Sequence, residues 1–99
     1  MARLIVTAPA ESDRRRILNY LVDHAGYAIA ERYNQHFRSV LSRIADFPDS
    51  GAPRPVLGAS IRIAVVDPYV VIYNRTKDGV AVIRIVHGKR DISRDMLSR

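Results

Sequence analysis

The residues best suited to chemistry follow Val80–Val86, a segment that is apolar apart from Arg84. This segment ends abruptly at the polar run His87-Gly-Lys-Arg-Asp91. A histidine can exchange a proton near neutral pH, and an arginine can hold a phosphate through parallel hydrogen bonds. His87 is therefore a candidate acid–base group, and Arg90 is a candidate phosphate clamp.

The same two residues have a structural interpretation. A polar residue at the end of a strand is commonly fixed by hydrogen bonds to nearby backbone, and this is the favoured role for His87. Asp91 adjoins Arg90, and such a pair more often fixes a chain terminus than binds a substrate. The residues by themselves leave both interpretations open.

Composition limits the kinds of site that the chain can build. There is no cysteine, so disulfides and thiolate metal sites are excluded. The three histidines, His24, His36 and His87, are scattered without metal-ligand spacing. We therefore expect no metal and no other cofactor.

Charge points to an anionic partner. The 99 residues carry a formal net charge of +6, which favours nucleic acid, an acidic protein or an anionic lipid, although basic residues also serve solubility alone. No apolar run approaches the roughly 20 residues of a membrane span, and the start of the chain does not resemble a signal peptide. We expect a cytoplasmic protein with no membrane partner.

The elements that position these residues follow from hydrophobic periodicity. Leu4–Val6 is typical of a short strand, and Thr7 is a suitable N-cap for a helix that ends near Gly26. A second helix has the strongest period of the chain. Its apolar stripe consists of Ile29, Tyr33, Phe37, Val40, Leu41, Ile44 and Phe47.

Beyond the helices the pattern changes to that of strands. Proline and glycine interrupt residues 47–59, which predicts a loop, and the period is two from Ser60 onward. Asp67-Pro68 and residues 76–79 are turn signals between strands. Residues 1–99 are thus predicted to form a single α+β domain. Its N-terminal strand and antiparallel helical hairpin precede a three-stranded antiparallel sheet and a basic C-terminal tail. Tyr69 and Tyr73 are expected to face the helices.

Four segments together carry a recognisable pattern. They are Ala10-x-x-Asp13-x-x-x-Ile17-x-x-Tyr20, then Phe47-Pro48-x-x-Gly51-x-Pro-Arg-Pro, then the strand around Arg62 with Tyr69-Val-Val-Ile-Tyr73, and finally Ile85-Val-His-Gly-Lys-Arg-Asp-Ile92. In this pattern the chain resembles the ParE branch of the RelE/ParE toxin superfamily. The resemblance implies the toxin of a type II toxin–antitoxin module.

The resemblance also implies partners and two alternative activities. ParE-like toxins typically poison DNA gyrase, RelE-like toxins cleave mRNA in the ribosome, and their shared fold does not distinguish them. RelE-like nucleases often carry a tyrosine several residues after the arginine that corresponds to Arg90. Residues 91–99 contain no tyrosine, which favours a gyrase inhibitor that is not an enzyme. The alternatives are a ribosome-dependent mRNA endonuclease using His87 and Arg90, and a non-toxic nucleic-acid-binding or antitoxin-scaffolding module.

Candidate contact residues follow for each partner. Target binding is assigned to basic residues of the tail and strands, namely Lys89, Arg90, Arg94 and Arg99, with Arg62 and Arg75. Arg14–Arg16 is interpreted as the solvent-facing side of the first helix. A ParD-like antitoxin is expected to form a hetero-oligomer with the chain by docking on apolar residues outside the main stripes. These are Leu18, Val22, Ala30 and Leu57.

Overall fold

The fold combines a helical hairpin with one sheet, and a computed structural model describes residues 3–97 of it. In chain order the elements are β1 (Arg3–Val6), α1 (Ala8–Ala25), α2 (Tyr27–Asp46), β2 (Ala52–Pro53), β3 (Ile61–Val66), β4 (Tyr69–Arg75), β5 (Gly79–His87) and α3 (Arg94–Leu97). The predicted order of strand, helix pair and three long strands is confirmed.

Local chemistry sets both ends of the first helix as predicted. The Thr7 hydroxyl accepts a hydrogen bond from the Ala10 amide at 3.3 Å and so caps α1. At the other end the Gly26 amide donates to the Val22 carbonyl. Gly26 has φ +94°, a region that favours glycine, and it reverses the chain so that α2 packs against α1.

The sheet is mixed, whereas the sequence predicted three antiparallel strands with the first strand unplaced. Its order is β1-β5-β4-β3-β2. The three long strands β3, β4 and β5 are antiparallel as expected, but β1 pairs with β5 in parallel. The predicted loop also contains a short strand, β2, which pairs with the edge of β3. Pro53 is tolerated there because an edge strand needs fewer backbone donors.

The helical hairpin covers one face of the sheet. The core on this side includes Phe37 and Ile44 of α2, both fully buried, against Val71 and Tyr73 of β4. Tyr69 belongs to the same cluster, which confirms that both strand tyrosines pack toward the helices. Phe47 does not complete the predicted stripe: it is 65% exposed, because α2 ends at Asp46.

The residues after β5 cover the opposite face and do not form a free basic tail. Ile72 and Val86 are buried on this side of the sheet together with Leu57 and Ile61. The segment after β5 packs its apolar side chains against them, and these side chains are Ile92, Met96 and Leu97. Apolar contacts of Val86, Ile92, Met96 and Leu97 therefore hold this basic segment against the sheet.

A β-bulge in β5 decides what its last residues face. Ile72 pairs with Arg84 while Tyr73 pairs with Val82, so Ile83 is left as the additional residue. The bulge shifts the alternation of side chains by one residue. Val82 and Ile85 therefore both pack in the helix-side core, although they are three residues apart. His87 therefore lies on the helix side of the sheet, opposite Tyr69.

Candidate functional site

The end of β5 forms a turn that is fixed by its own backbone. The Lys89 amide donates to Nδ1 of His87 at 3.1 Å, and the Arg90 amide donates to the His87 carbonyl at 3.0 Å. The Gly88 amide donates to the Pro68 carbonyl at 2.8 Å and so ties this turn to the one before β4. Because Nδ1 accepts the Lys89 amide, a neutral His87 carries its proton on Nε2. They are the strand-end bonds that the structural interpretation of His87 expects.

A cleft of about 510 Å³ opens beside this turn, between the helical hairpin and the ends of β4 and β5. Its walls are mainly apolar. They consist of Tyr20, Tyr33 and Tyr69 with Ile17, Leu21 and Pro68, beside Arg16 and His87. A smaller cavity of about 170 Å³ lies next to it and shares Arg16, Tyr69 and His87. Arg90 lines this second cavity. Together the two cavities place aromatic rings beside two arginines.

Tyr69 forms the back wall of the cleft. Its ring lies edge-on to Tyr33 at 5.9 Å and edge-on to His87 at 5.8 Å, measured between ring centroids. Burial raises the pKa of the Tyr69 phenol, and the nearby phenols of Tyr33 and Tyr20 raise it further. Tyr69 therefore stays neutral at physiological pH, and its ring, which is 8% exposed, contributes a small uncharged part of the cleft wall.

A buried ion pair joins α1 to β5 at the rim of the smaller cavity. The carboxylate of Asp13, which is 3% exposed, accepts from Nε of Arg84 at 2.7 Å and from its second terminal nitrogen at 3.0 Å. It also accepts the Ile85 amide at 2.9 Å, beyond the last residue of β5 that pairs with β1. The hydrogen bond to Asp13 is the main cause that raises the pKa of Arg84. This pair joins the first helix to β5 beside the cleft.

Sequence reasoning missed this pair. Asp13 enters the sequence prediction only as part of the family pattern of the first helix, and no role is predicted for Arg84. A signal was present, because Arg84 is the one charged residue within the otherwise apolar run of residues 80–86. A charge in such a run needs a partner when the strand is buried on both faces.

The basic residues assigned to target binding do not form one surface. Lys89 and Arg90 are exposed at the cleft end of β5, whereas Arg94 is exposed on α3, which packs on the opposite face. Arg75 ends β4 at the far side of the sheet, six residues from Tyr69 and so roughly 20 Å from it. Arg62 lies near that same end, opposite Tyr73. Arg99 lies outside the described residues.

The two strand arginines are engaged in holding the loop before β2. Arg62 donates to the carbonyls of Asp49 and Gly51 at 3.0 and 2.7 Å. Nε of Arg75 lies 3.0 Å from the Asp49 carboxylate. A structural role for Arg62 follows, because its guanidinium satisfies two loop carbonyls. The tail behaves differently: within residues 3–97 Asp91 forms no ion pair with Arg90, contrary to the expectation from the sequence.

The residues assigned to the antitoxin differ in accessibility. Val22 is 40% exposed on α1, and Leu18 is partly buried against the helix-side core. Ala30 is 4% exposed and Leu57 is 8% exposed, because each packs into a core cluster of the chain itself. Ala30 and Leu57 are therefore core residues in this structure, and Val22 offers the accessible apolar surface. Helical spacing and loop composition did not reveal which side chains the sheet would cover.

The three consecutive arginines of α1 also separate. Arg15 is exposed, as expected for a solvent-facing side, whereas Arg14 is only partly exposed and pairs with Glu11 at 2.6 Å. Arg16 instead lines both cavities and lies 3.6 Å from the Asp13 carboxylate. Arg16 is 69% exposed, as the interpretation of a solvent-facing side expects, and it also belongs to the candidate site, which the sequence did not predict.

Residues 3–97 contain neither a candidate metal centre nor a helix that could span a membrane. No group of three or more potential metal ligands occurs among the side chains of this described range. Within the same range no helix combines the length and the apolar character that a membrane crossing requires.

Three comparisons with known proteins agree with this architecture. The profile of the family described as the ParE toxin of the type II toxin–antitoxin system parDE matches residues 4–92. Toxin ParE3 of Caulobacter vibrioides is 28% identical over 93 residues, which span 94% of this chain and 93% of that protein. A chain of the chromosomal ParDE system from P. aeruginosa has the same fold, with a TM-score of 0.75 at 20% identity. That match covers 88% of this chain and 96% of the other. The chain belongs to the ParE family, the toxins of type II toxin–antitoxin systems.

Proposed function

We propose that this toxin arrests growth by binding DNA gyrase and trapping it with cleaved DNA, and that a ParD-like antitoxin neutralises it in a hetero-oligomer. Membership in the ParE family gives the toxin role and an antitoxin partner. The observation that carries the gyrase proposal is the exposed turn after β5. Its Lys89 and Arg90 side chains form no ion pair within residues 3–97. Exposed arginine is a frequent anchor of protein interfaces.

We propose binding instead of catalysis for this turn. Nδ1 of His87 is occupied by the Lys89 amide, so a proton-transfer role would rest on Nε2 alone. No tyrosine follows Arg90 in the sequence to complete the group typical of RelE-like nucleases. An interface of standard size needs about 800 Å² on each partner, which is within reach of a surface of 6297 Å². Gyrase acts on chromosomal DNA, so the proposal places the protein in the cytoplasm.

A supercoiling assay with purified gyrase tests the proposal. The toxin should inhibit supercoiling and increase the amount of cleaved DNA linked to gyrase. Inhibition should weaken as salt rises if bound DNA contributes phosphate contacts. Unchanged supercoiling at a large molar excess of folded toxin would eliminate gyrase as the target.

A matched pair of variants locates the contact. Arg90→Ala should lose most of the inhibition, because it removes the proposed anchor from a turn held by backbone bonds. Arg15→Ala removes the same charge from an exposed position of α1 and should behave as the natural protein. Equal toxicity of the two variants at matched expression, with circular dichroism showing both folded, would contradict this assignment.

A ribosome-dependent mRNA endonuclease remains the second candidate, because His87 and Arg90 line the same cavity. Primer extension on translated messages would then show cuts at fixed codon positions, and His87→Ala would abolish them. Intact messages during growth arrest would remove this candidate. A non-toxic module is distinguished from both, because its expression without antitoxin would leave growth unchanged.

A further inference from the structure

We propose that the aromatic cleft is a binding site for a single unstacked nucleotide, with the base among the tyrosines and the phosphate on Arg16 and Arg90. The inference goes beyond gyrase binding and does not depend on it. The site is defined by Tyr20, Tyr33, Tyr69 and His87 with these two arginines. Its larger cavity of about 510 Å³ lies in the range of roughly 300–1,000 Å³ that small-molecule sites occupy.

The aromatic side of the cleft suits a planar base. The Tyr20 ring is stacked on His24 at 4.0 Å with an interplanar angle of 19°, so one ring face is already supported. Tyr20 is nevertheless 55% exposed and lines the cleft. A supported ring loses little conformational entropy when a base stacks on it. Stacking of this kind tolerates any base, because every base has a π-face.

The polar side of the cleft suits a phosphate. The Arg16 side chain is 69% exposed, and it reaches the Asp13 carboxylate only at 3.6 Å. That carboxylate already accepts three shorter bonds from Arg84 and Ile85, so it competes weakly for Arg16. Arg90 is exposed at the other cavity of the cleft, and an arginine binds phosphate through two parallel hydrogen bonds. Nε2–H of neutral His87 adds one donor for a base edge.

A nucleotide fits these two sides better than an acidic peptide does. A nucleotide joins a flat ring and an anionic phosphate in one unit, whereas a peptide supplies its apolar and acidic groups on separate side chains. The cleft places its rings directly beside its arginines, with Arg16 and His87 shared between the two cavities. A base inside a duplex cannot enter such a cleft, so the ligand must be single-stranded or already unstacked.

Fluorescence anisotropy with labelled oligonucleotides of about ten residues tests the proposal, using one sequence as single-stranded DNA, single-stranded RNA and duplex DNA. We expect a single strand to bind at least about tenfold more tightly than the duplex, since stacking requires an unpaired base. A preference for DNA or RNA would identify the source of the nucleotide, and either supports the site. A thymidine monophosphate competitor should displace the strand, and inorganic phosphate at the same concentration should not.

Variants assign the binding to the cleft. Tyr20→Ala should weaken single-strand binding roughly tenfold by loss of one stacking surface. Arg16→Gln should weaken single-strand binding. It should also reduce the slope of log affinity against log salt concentration by about 1, which corresponds to the loss of one phosphate contact. Tyr27→Ala and Arg15→Gln are the matched controls, because Tyr27 is 74% exposed away from the cleft and Arg15 neighbours Arg16 on α1. Both controls should bind as the natural chain does.

Three results would overturn the inference. One is equal or tighter binding of the duplex, which would indicate general attraction to phosphates. Another is an equal effect of Tyr20→Ala and Tyr27→Ala with both variants folded. The last is displacement of the strand by an acidic peptide but not by the mononucleotide, which would assign the cleft to a protein partner. Because gyrase is absent from these assays, failure here would leave the proposed gyrase binding untouched.

Discussion

At the scale of single residues, buried polar groups determine where the first helix lies against the sheet. Asp13 satisfies the Arg84 guanidinium and the Ile85 amide at once, at a place where β1 no longer pairs with β5. Few other side chains can do this, because the site needs a short acceptor with two oxygens. Asp13 thereby joins α1 to β5 beside the cleft at His87.

Removal of the Asp13 carboxylate should lower the free energy of unfolding. Asp13→Ala leaves the Arg84 charge and the Ile85 amide without their partner, and we expect the free energy of unfolding to fall by about 3 kcal/mol. Urea unfolding followed by circular dichroism measures this loss. Asp23→Ala, at an exposed position of the same helix, should leave stability unchanged. A loss no larger than that of the control would show that Asp13 does not hold the helix.

The free energy of unfolding should depend on pH through Tyr69, in a direction that follows from its raised pKa. Its folded-state pKa is raised above 10.0, so the unfolded chain releases the phenolic proton at lower pH than the folded chain. The stabilising contribution is thus fully present below pH 10 and is lost as pH rises through the folded-state pKa. Urea unfolding at pH 9 and pH 11 should show a smaller loss for Tyr69→Phe than for the natural chain. Tyr27→Phe is the exposed control, and identical pH profiles for Tyr69→Phe and the natural chain would refute the prediction.

At the scale of elements, the loop before β2 is held by a tyrosine of the sheet as well as by Arg62 and Arg75. The Tyr73 hydroxyl donates to the Pro48 carbonyl at 2.7 Å and accepts the Gly51 amide at 2.9 Å. Gly51 has to be glycine, because a Cβ at this position would collide with the Tyr73 hydroxyl and lie 2.6 Å from the Ile63 carbonyl. Through this contact, residues 47–59, which are rich in proline and glycine, form an ordered segment that contains β2.

Loss of the Tyr73 hydroxyl should loosen this loop. Tyr73→Phe leaves the Gly51 amide and the Pro48 carbonyl without a partner, and we expect a loss of about 2 kcal/mol in unfolding free energy. Hydrogen exchange should then accelerate at the Gly51 amide, while Tyr27→Phe leaves both measurements unchanged. Retained protection of the Gly51 amide in Tyr73→Phe would mean that another group holds the loop.

At the scale of the whole molecule, the sheet is covered on both faces by different parts of the chain. The helical hairpin covers one face, and residues 92–97 cover part of the other through Ile92, Met96 and Leu97. The basic end of the chain is thereby attached to the core. Exposed cations lie on α1, on α2, on the turn after β5 and on α3, so the net charge of +6 is spread over separate surfaces.

The carboxyl segment should contribute measurably to stability. Met96→Ala together with Leu97→Ala removes apolar cover from Ile72 and Val86, and we expect the unfolding free energy to fall by about 2 kcal/mol. Arg94→Ala on the exposed side of α3 is the control. If the double variant unfolds at the same urea concentration as this control, the segment is not part of the core.

The helical hairpin and the three antiparallel strands could be predicted from the sequence by itself, because they depend on local periodicity, caps and turn residues such as Thr7, Gly26 and Asp67-Pro68. The family followed separately, from a resemblance in motif residues such as those of the run His87-Gly-Lys-Arg-Asp91. The sequence also located the polar turn at His87. Only the tertiary structure decided that β1 joins β5 in parallel, that the bulge at Ile83 turns His87 toward the helices, and that Arg16 faces a cleft. Each depends on contacts between residues far apart in the chain. Such contacts, like the one between Asp13 and Arg84, leave no periodic signal in a single sequence.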